Sequence, residues 1–432
     1  MIGTGYVGLV TGSCLAGFGH RVRCVDIDAE RVKTLQDGKI PIYEPGLSDM
    51  VERNAAGGRL SFGTDLKEAI ENSDVIVIAV GTPAQEDGST DLSYVFAAAK
   101  SIAGELGGAR RVIVQKSTVP VGTTRRVAEI IEKHAPAGAE FDIVSNPEFL
   151  REGSAVEDFL RPDRVVIGVE SDWAQKVIKR VYRPLYLIET PMIFTSLETA
   201  ELIKYAANAY LATKISFINE IAAFAERVGA NVDHVAKGMG LDGRIGRKFL
   251  HAGVGFGGSC FPKDVSSLVH QSNDSGVKPE ILEAVLSVNA RLASIAVEKI
   301  KSHTGALSGK TVGILGLSFK PNTDDIREAP SIRIIRQLID AGTSVRVFDP
   351  VAMKNFGQIT GLDVTECKDA YDTAKGCDAL VLVTEWNEFR ELDLDELQAT
   401  MNQPVFVDCR NVYDPEHMAD RGFRYSSFGR GA

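Results

Sequence analysis

The stretch that most narrows the possible folds stands at the very start. Gly3-Thr4-Gly5-Tyr6-Val7-Gly8 is a GxGxxG run that opens an apolar helix from Leu9 to Phe18. A β-branched segment, Val22–Val25, follows and ends in Asp26, 18 residues after Gly8. Glycines permit a tight turn and a close phosphate, a helix N-terminus favours the negative charge, and an acid at this distance accepts from a ribose. A lone GxGxxG is weak evidence, but helix, strand and acid together favour a dinucleotide site over a chance loop. Gly3, Gly5, Val7 and Gly8 are its expected lining. Asp26 repels a ribose 2′-phosphate, so NAD is expected over NADP. Arg31 lies near enough to soften that preference, and otherwise reads as a solvated helix charge. Such a fold begins with a central strand of about five residues, and here only Met1 and Ile2 precede Gly3. The expectation is that the chain is truncated at its N-terminus and that Met1 is internal to a longer reading frame.

Further apolar runs alternate with helical segments: Val75–Val80, Val112–Gln115, Phe141–Ser145 and Val165–Gly168. Alternation of this kind predicts a parallel sheet covered on both faces, with ligands at the carboxyl ends of the strands. Those ends read Gly81-Thr82-Pro83, Ser117-Thr118-Val119-Pro120, and Asn146-Pro147-Glu148 leading to Glu152. Each alone could be a strand-ending turn; together they predict one wall of a crevice. From Lys310 the pattern repeats. VRCVDID recurs as VRVFDP and SDVIVIAVGTP as CDALVLVTEW, on strands near Val312, Val345–Phe348, Ala379–Val383 and Val405–Val407. This is a second Rossmann-like unit without the full GxGxxG, suited to a different nucleotide. Lys320, Arg327 and Arg410 follow its strand ends, where they could face phosphates or a carboxylate.

No proline or glycine interrupts Ser196–Val228, which predicts one helix of about 33 residues, roughly 50 Å long. Lys204 and Asn208 are four apart and share a face with Ala200, Leu211 and Ile215. Either they are polar groups set into an apolar stripe for a purpose, or Lys204 snorkels to solvent and Asn208 is a packing amide. Gly253–Asp264 reads GVGFGGSCFPKD. A plain connector rarely needs so many glycines. Cys260 among them, with Lys263 and Asp264 just beyond, suggests a thiolate beside a cation; the alternative is a buried, inert thiol.

A length of 432 residues suggests roughly three domains: 1–195 as a dinucleotide domain, 196–300 as the helix and a small helical dimerisation region with the cysteine loop, and 301–432 as the second nucleotide domain. The expected class is thus α/β, two Rossmann-like doubly wound parallel-sheet domains joined by a long central helix. A net charge of −10 without a basic run argues against nucleic acid. No apolar stretch reaches the ~18 residues of a membrane span. Six scattered cysteines and seven dispersed histidines predict reduced thiols in the cytoplasm and no metal.

GTGYVG, STVPVGTT, NPEFLREG, the Lys204/Asn208 helix, GFGGSCFPKD and GLSFKPNTDDIRE stand in one order along essentially the whole chain. Together they resemble the UDP-glucose/GDP-mannose dehydrogenase family. The run RIGRKFLHAGVGFGG, from Arg244 to Gly258, is similar to its UDP-glucose branch rather than to the GDP-mannose or UDP-N-acetylmannosamine branches. The resemblance implies NAD-dependent oxidation of a sugar CH2OH to a carboxylate, with UDP-glucose as substrate and a homodimer as the working unit. It implies Cys260 as covalent nucleophile and Lys204 with Asn208 as oxyanion donors. Thr118 and Asp264 would hold the catalytic water, and Glu148 would give acid–base help. It assigns contacts to the UDP-sugar to Glu148, Phe149, Leu150, Arg151, Glu152, Lys204 and Asn208. Phe249, Leu250, His251, Ala252, Gly253, Gly257, Phe319, Lys320 and Arg410 join them, with Arg244 crossing from a partner subunit. On the NAD side it adds Thr82, Thr118, Glu152, Lys263 and Arg327 to the glycine turn, Asp26 and Arg31. A non-catalytic nucleotide-sugar sensor is the alternative of another class; loss of Cys260 or Lys204 would mark it, and both are present.

Overall fold

In the computed structural model, which describes residues 1–430, the chain divides into two compact units, Met1–Ala207 and Asn208–Ala432. In the first, strands β1 (Val22–Val25) and β2 (Leu60–Gly63) pair in parallel. A second group runs β3 (Val75–Ile78), β4 (Arg111–Gln115), β5 (Phe141–Ser145), β6 (Val165–Val169) and β7 (Met192–Thr195). Ile2 joins the groups, bridging Val25 on one side and Ile78 on the other. Its N–H donates to the Val77 carbonyl at 2.7 Å, and Ala79 N–H returns to the Ile2 carbonyl at 2.8 Å. Met1 is buried and its ammonium donates to the Arg23 carbonyl at 2.8 Å; desolvation lowers its pKa, against a weaker opposite pull from Cys24. With Ile2 as strand one, the order from β2 to β5 is the doubly wound 3-2-1-4-5-6. Val, Ile and Leu from both strand faces enter two apolar cores, as expected for a sheet sandwiched by helices.

The expected parallel sheet forms with one reversed pairing. β6 runs antiparallel to β5, with Val144 opposite Val169 and Ser145 opposite Gly168. Between them lies only a short helix, Ala155–Leu160, and an antiparallel neighbour can be reached without the long crossover that a parallel one requires.

The predicted long helix forms, as Leu197–Val228. Ser196 stays outside it and its hydroxyl accepts from Thr199 N–H at 3.2 Å, the bond of a capping residue.

The second unit carries an all-parallel six-stranded sheet in the order β10-β9-β8-β11-β12-β13. The strands are β8 (Thr311–Leu315), β9 (Ser344–Phe348), β10 (Thr365–Glu366), β11 (Ala379–Leu382), β12 (Val405–Asp408) and β13 (Arg424–Ser427). Renumbered from one, this too is 3-2-1-4-5-6, so the repeat read from VRCVDID and VRVFDP is a repeat of topology. The two aspartates of those runs do the same local work. Asp26 accepts from Thr4 N–H and hydroxyl, both at 2.7 Å. Asp349 accepts from Leu317 N–H at 2.8 Å and from Ser318 N–H at 3.0 Å. In each unit the second strand thereby pins the turn after the first. Among the described residues no helix is long and apolar enough to cross a membrane, and no group of three or more His, Cys, Asp or Glu is placed to hold a metal.

Candidate active site

The glycine turn of the first unit is shaped as its motif requires. Gly3 has φ +96°, and a Cβ there would lie 2.6 Å from the Ala79 carbonyl; one at Gly8 would lie 2.1 Å from the Gly3 carbonyl. Both glycines are needed by the chain's own packing. At Gly5 the same direction is open, with no atom within 4 Å. The helix Tyr6–Gly17 that follows has no acid in its first turn, so its N-terminus can accept an anion. These features fit a dinucleotide pyrophosphate. Asp26 also accepts from Asp28 N–H at 3.1 Å. Three donors occupy most of a carboxylate's roughly four lone-pair positions, leaving about one for a ribose hydroxyl. Desolvation pushes the Asp26 pKa up, but the Thr4 and Asp28 bonds and the Arg31 charge together hold it below the usual value. Arg31 itself is exposed, 4.0 Å from Asp28.

At the ends of β3, β4 and β5 the predicted turns carry Thr82 and Thr118, both half-buried, and Glu148, buried. Lys204 forms a buried ion pair with Glu148 at 3.3 Å, so it does not snorkel. The other Glu148 oxygen accepts from Leu150 N–H. Phe149 is flanked by cations: Arg164 stacks 3.6 Å from its ring centre and the Lys204 ammonium lies at 5.2 Å. Arg151 is exposed and bonded to Asp158 at 2.5 Å, while Glu152 is half-buried.

Four residues that the sequence reading passed over organise this region. Lys116 is buried and donates to the carbonyl and Oδ1 of Asn146 at 3.2 and 3.3 Å. Desolvation lowers its pKa to about 8, with Glu148 opposing and Lys204 adding to the drop. Glu201 is buried on the long helix and accepts from Gly122 N–H at 2.6 Å and from Thr124 N–H and hydroxyl at 2.7 and 2.6 Å. It thereby caps the helix Thr123–His134 and fixes the loop of Thr118. Glu44, also buried, accepts from Tyr6 hydroxyl and from Gly153 and Ala155 N–H at 2.6 and 2.7 Å. Burial and then the Glu44 bond raise the Tyr6 pKa far above its ordinary value. Tyr6 and Glu44 link the glycine turn to the loop of Glu152.

In the second unit, Cys260 is the residue immediately before the helix Phe261–Asp274, with Pro262 in its first turn. The sequence reading credited Lys263 with activating the thiol and missed the helix N-terminus, which favours a thiolate as well. The signal was present: proline is preferred at the first helical positions. Cys260 is half-buried and the other five cysteines are buried; its sulfur lies 3.6 Å from Ser259 Oγ. Asp264 is buried and accepts from Asn208 Nδ2 and Lys263 Nζ, both at 2.6 Å. Asn208 is therefore oriented by a carboxylate.

The loop glycines answer to the chain itself. A Cβ would meet the Cys409 carbonyl at 2.4 Å from Gly253, Asn289 Oδ1 at 2.2 Å from Gly255, the Glu328 carbonyl at 2.3 Å from Gly257, and the Phe319 ring at 2.8 Å from Gly258. Arg410, expected at a ligand, directs its guanidinium to the carbonyls of Val383, Gly255 and Phe319 at 2.8, 3.1 and 3.3 Å. Arg327 forks onto Asp325 at 2.9 and 2.8 Å, and exposed Arg244 onto Asp242 at 2.6 Å. Leu250 and Ala252 sit in a small apolar core, while His251 is exposed. Lys320 and Phe319 are half-buried. Phe249, 6.0 Å from the Phe261 ring, has φ +67°, a strained backbone for a bulky residue.

The chain is similar to known proteins along its whole length. Residues 1–186, 198–291 and 313–415 match the NAD binding, central and UDP binding domains of the UDP-glucose/GDP-mannose dehydrogenase family. A UDP-glucose 6-dehydrogenase of Rhizobium meliloti is 54% identical, covering 100% of this chain and 99% of its own. One from Pseudomonas aeruginosa is 44% identical over 100% and 97%. A UDP-glucose dehydrogenase structure from Pyrobaculum islandicum superposes with a TM-score of 0.93 at 40% identity, covering 100% and 97%. A UDP-D-ManNAc dehydrogenase structure from Pyrococcus horikoshii gives 0.87 at 25% identity over 100% and 98%.

Proposed function

The chain belongs to the UDP-glucose/GDP-mannose dehydrogenase family and is a dehydrogenase whose cofactor is NAD; from that premise we propose that it oxidises C6 of UDP-glucose twice, giving UDP-glucuronate. NAD, when bound, would supply the hydride acceptor, one molecule for each of the two oxidations in turn. The residues that would hold it are Gly3, Gly5, Val7, Gly8 and Asp26, with Arg31, Thr82, Thr118, Glu152, Lys263 and Arg327 alongside. Cys260 attacks the aldehyde carbon and forms a thiohemiacetal; once that carbon is at the acid level the thioester is cleaved by water and the thiol returns. Lys204 and Asn208, one turn apart on the long helix, donate to the oxygen that becomes negative at C6. Glu148, paired with Lys204, exchanges the hydroxyl proton, and Thr118 with Asp264 orients the water. The UDP-sugar lies along residues 148–152 and 249–253, with Gly257, Phe319, Lys320 and Arg410.

The observation that carries this reading is Cys260 at a helix N-terminus, beside a Lys263–Asp264–Asn208 network of charge-assisted bonds. A thiol placed for packing alone has no use for either. The working species is a homodimer in the cytoplasm. Tyr210, Phe217 and Phe224, seven residues apart on the long helix, are all exposed, a stripe that a second copy would cover. Arg244 would then reach the neighbouring copy's substrate. The domain limits 1–195, 196–300 and 301–432 follow the same division of labour.

Replacing the thiol tests the assignment. Cys260→Ser is expected to stop UDP-glucuronate formation while the UDP-glucose Kd, by calorimetry, stays within about threefold. A Cys260→Ala enzyme that makes UDP-glucuronate at the wild-type rate would overturn it.

A further inference from the structure

The strap that leads into Cys260 is held along its length by side-chain and backbone groups far from it in sequence. Gly253 N–H donates to Asn219 Oδ1 at 2.9 Å, Val254 N–H to the Cys409 carbonyl at 3.1 Å, and Gly258 N–H to the Arg327 carbonyl at 2.9 Å. At its centre Asn289, on the helix Glu280–Thr304, pairs with both polar groups of one residue. Its Oδ1 accepts from Phe256 N–H at 2.9 Å and its Nδ2 donates to the Phe256 carbonyl at 3.0 Å. This side chain thus acts as one rung of a β-ladder, satisfying a buried backbone that no strand reaches. Gly255 has φ +87°, and a Cβ there would fall 2.2 Å from Asn289 Oδ1, so the glycine exists to admit the amide. Phe256 passes the placement on. Its ring is buried with Ala209, Ala212, Val265 and Val285 and meets Phe261 edge-on at 5.9 Å. Phe261 is the first residue of the helix that Cys260 precedes.

We propose that Asn289 is a positioning residue for Cys260: through the two bonds to Phe256 and the Phe256–Phe261 ring contact it fixes the thiol at the helix N-terminus. The proposal rests on the reading of Cys260 as nucleophile. A side chain that only supported the fold would have no reason to mimic a strand at a loop four residues before the thiol. An aspartate keeps the acceptor for Phe256 N–H but faces its carbonyl with a second acceptor, which breaks that one bond.

The test compares Asn289→Ala, Asn289→Asp and a core control on the same helix, Ile300→Val. Amide hydrogen exchange is measured on the ligand-free protein, with kcat for UDP-glucose oxidation and the calorimetric UDP-glucose Kd. The expected result for Asn289→Ala is faster exchange, by about tenfold, confined to the segment 253–264. Its kcat should fall at least about tenfold with Kd within threefold, Asn289→Asp should likewise speed exchange and lower kcat, and Ile300→Val should show neither effect. Unchanged exchange in 253–264, kcat and Kd changing by one common factor, or an equal kcat loss in Ile300→Val would each overturn the proposal. If Asn289→Ala does not fold, Asn289→Asp decides alone, because losing one donor must still speed exchange in 253–264 and lower kcat. Acid formation by Cys260→Ser would sink the nucleophile assignment instead, and the exchange result would stand apart from it.

Discussion

Lys116 is where burial and charge conflict most openly. Its ammonium is out of water, Glu148 favours its charge and Lys204 opposes it, and the balance puts its pKa at about 8. A folded-state pKa below the unfolded value means that, between about pH 8 and 10.5, the unfolded chain binds more protons. Stability carried by this group therefore rises with pH across that window, by up to about 3 kcal/mol. Below pH 8 the full cost of the buried charge is present. Lys116→Met is expected to flatten the rise, seen as a smaller gain in urea midpoint between pH 8 and 10 than wild type shows. Parallel pH profiles for the two proteins would contradict it. At this scale the sequence was partly legible. Cys260, Lys204 and Asn208 stood out by type and spacing, because chemistry-bearing residues in glycine-rich or apolar settings are conspicuous. Lys116 and Glu201 did not stand out. A lone charge in a run such as VQKSTV carries no sign of whether its end is buried, since that depends on which distant carbonyls arrive beside it.

Glu201 shows how one element is set by another. The helix Thr123–His134 begins at Gly122, which has no side chain to cap it. The cap comes instead from the long helix, three acceptor bonds from one carboxylate. Removing it leaves the buried N–H and hydroxyl of Thr124 and the half-buried N–H of Gly122 without this partner, at a cost of at most about 1–3 kcal/mol for each buried group. Glu201→Ala should lower the urea midpoint by an amount equal to several kcal/mol, with Glu201→Gln between it and wild type. A change under about 0.5 kcal/mol, the range of an ordinary surface substitution, would show that the cap is dispensable. Most strands, and the repeat of one unit in the other, were readable from β-branched runs and from the repeated aspartate, which the structure explains by Thr4–Asp26 and Ser318–Asp349; the order of the strands was not. The reversal of β6 was not readable, because Val165–Gly168 has the same apolar run in either direction. The glycines of the cysteine loop were legible as close approach; what approaches them is the chain's own backbone, a partner that spacing alone does not name.

For the whole molecule, two expectations follow from the proposed function. The exposed stripe of Tyr210, Phe217 and Phe224 should be covered by a second copy, so Phe217→Glu with Phe224→Glu should shift the species in analytical ultracentrifugation from dimer to monomer. An unchanged dimer would place the contact elsewhere. The proposed function turns on electrons rather than assembly: one site would carry an alcohol through the aldehyde to the acid, which a covalent hold on Cys260 would make possible. The direct measurement is NADH formed per UDP-glucose consumed, with product identity by mass. The expected result is two NADH for each UDP-glucose, with UDP-glucuronate as the product and no free aldehyde; one NADH per UDP-glucose, with the aldehyde released, would contradict it.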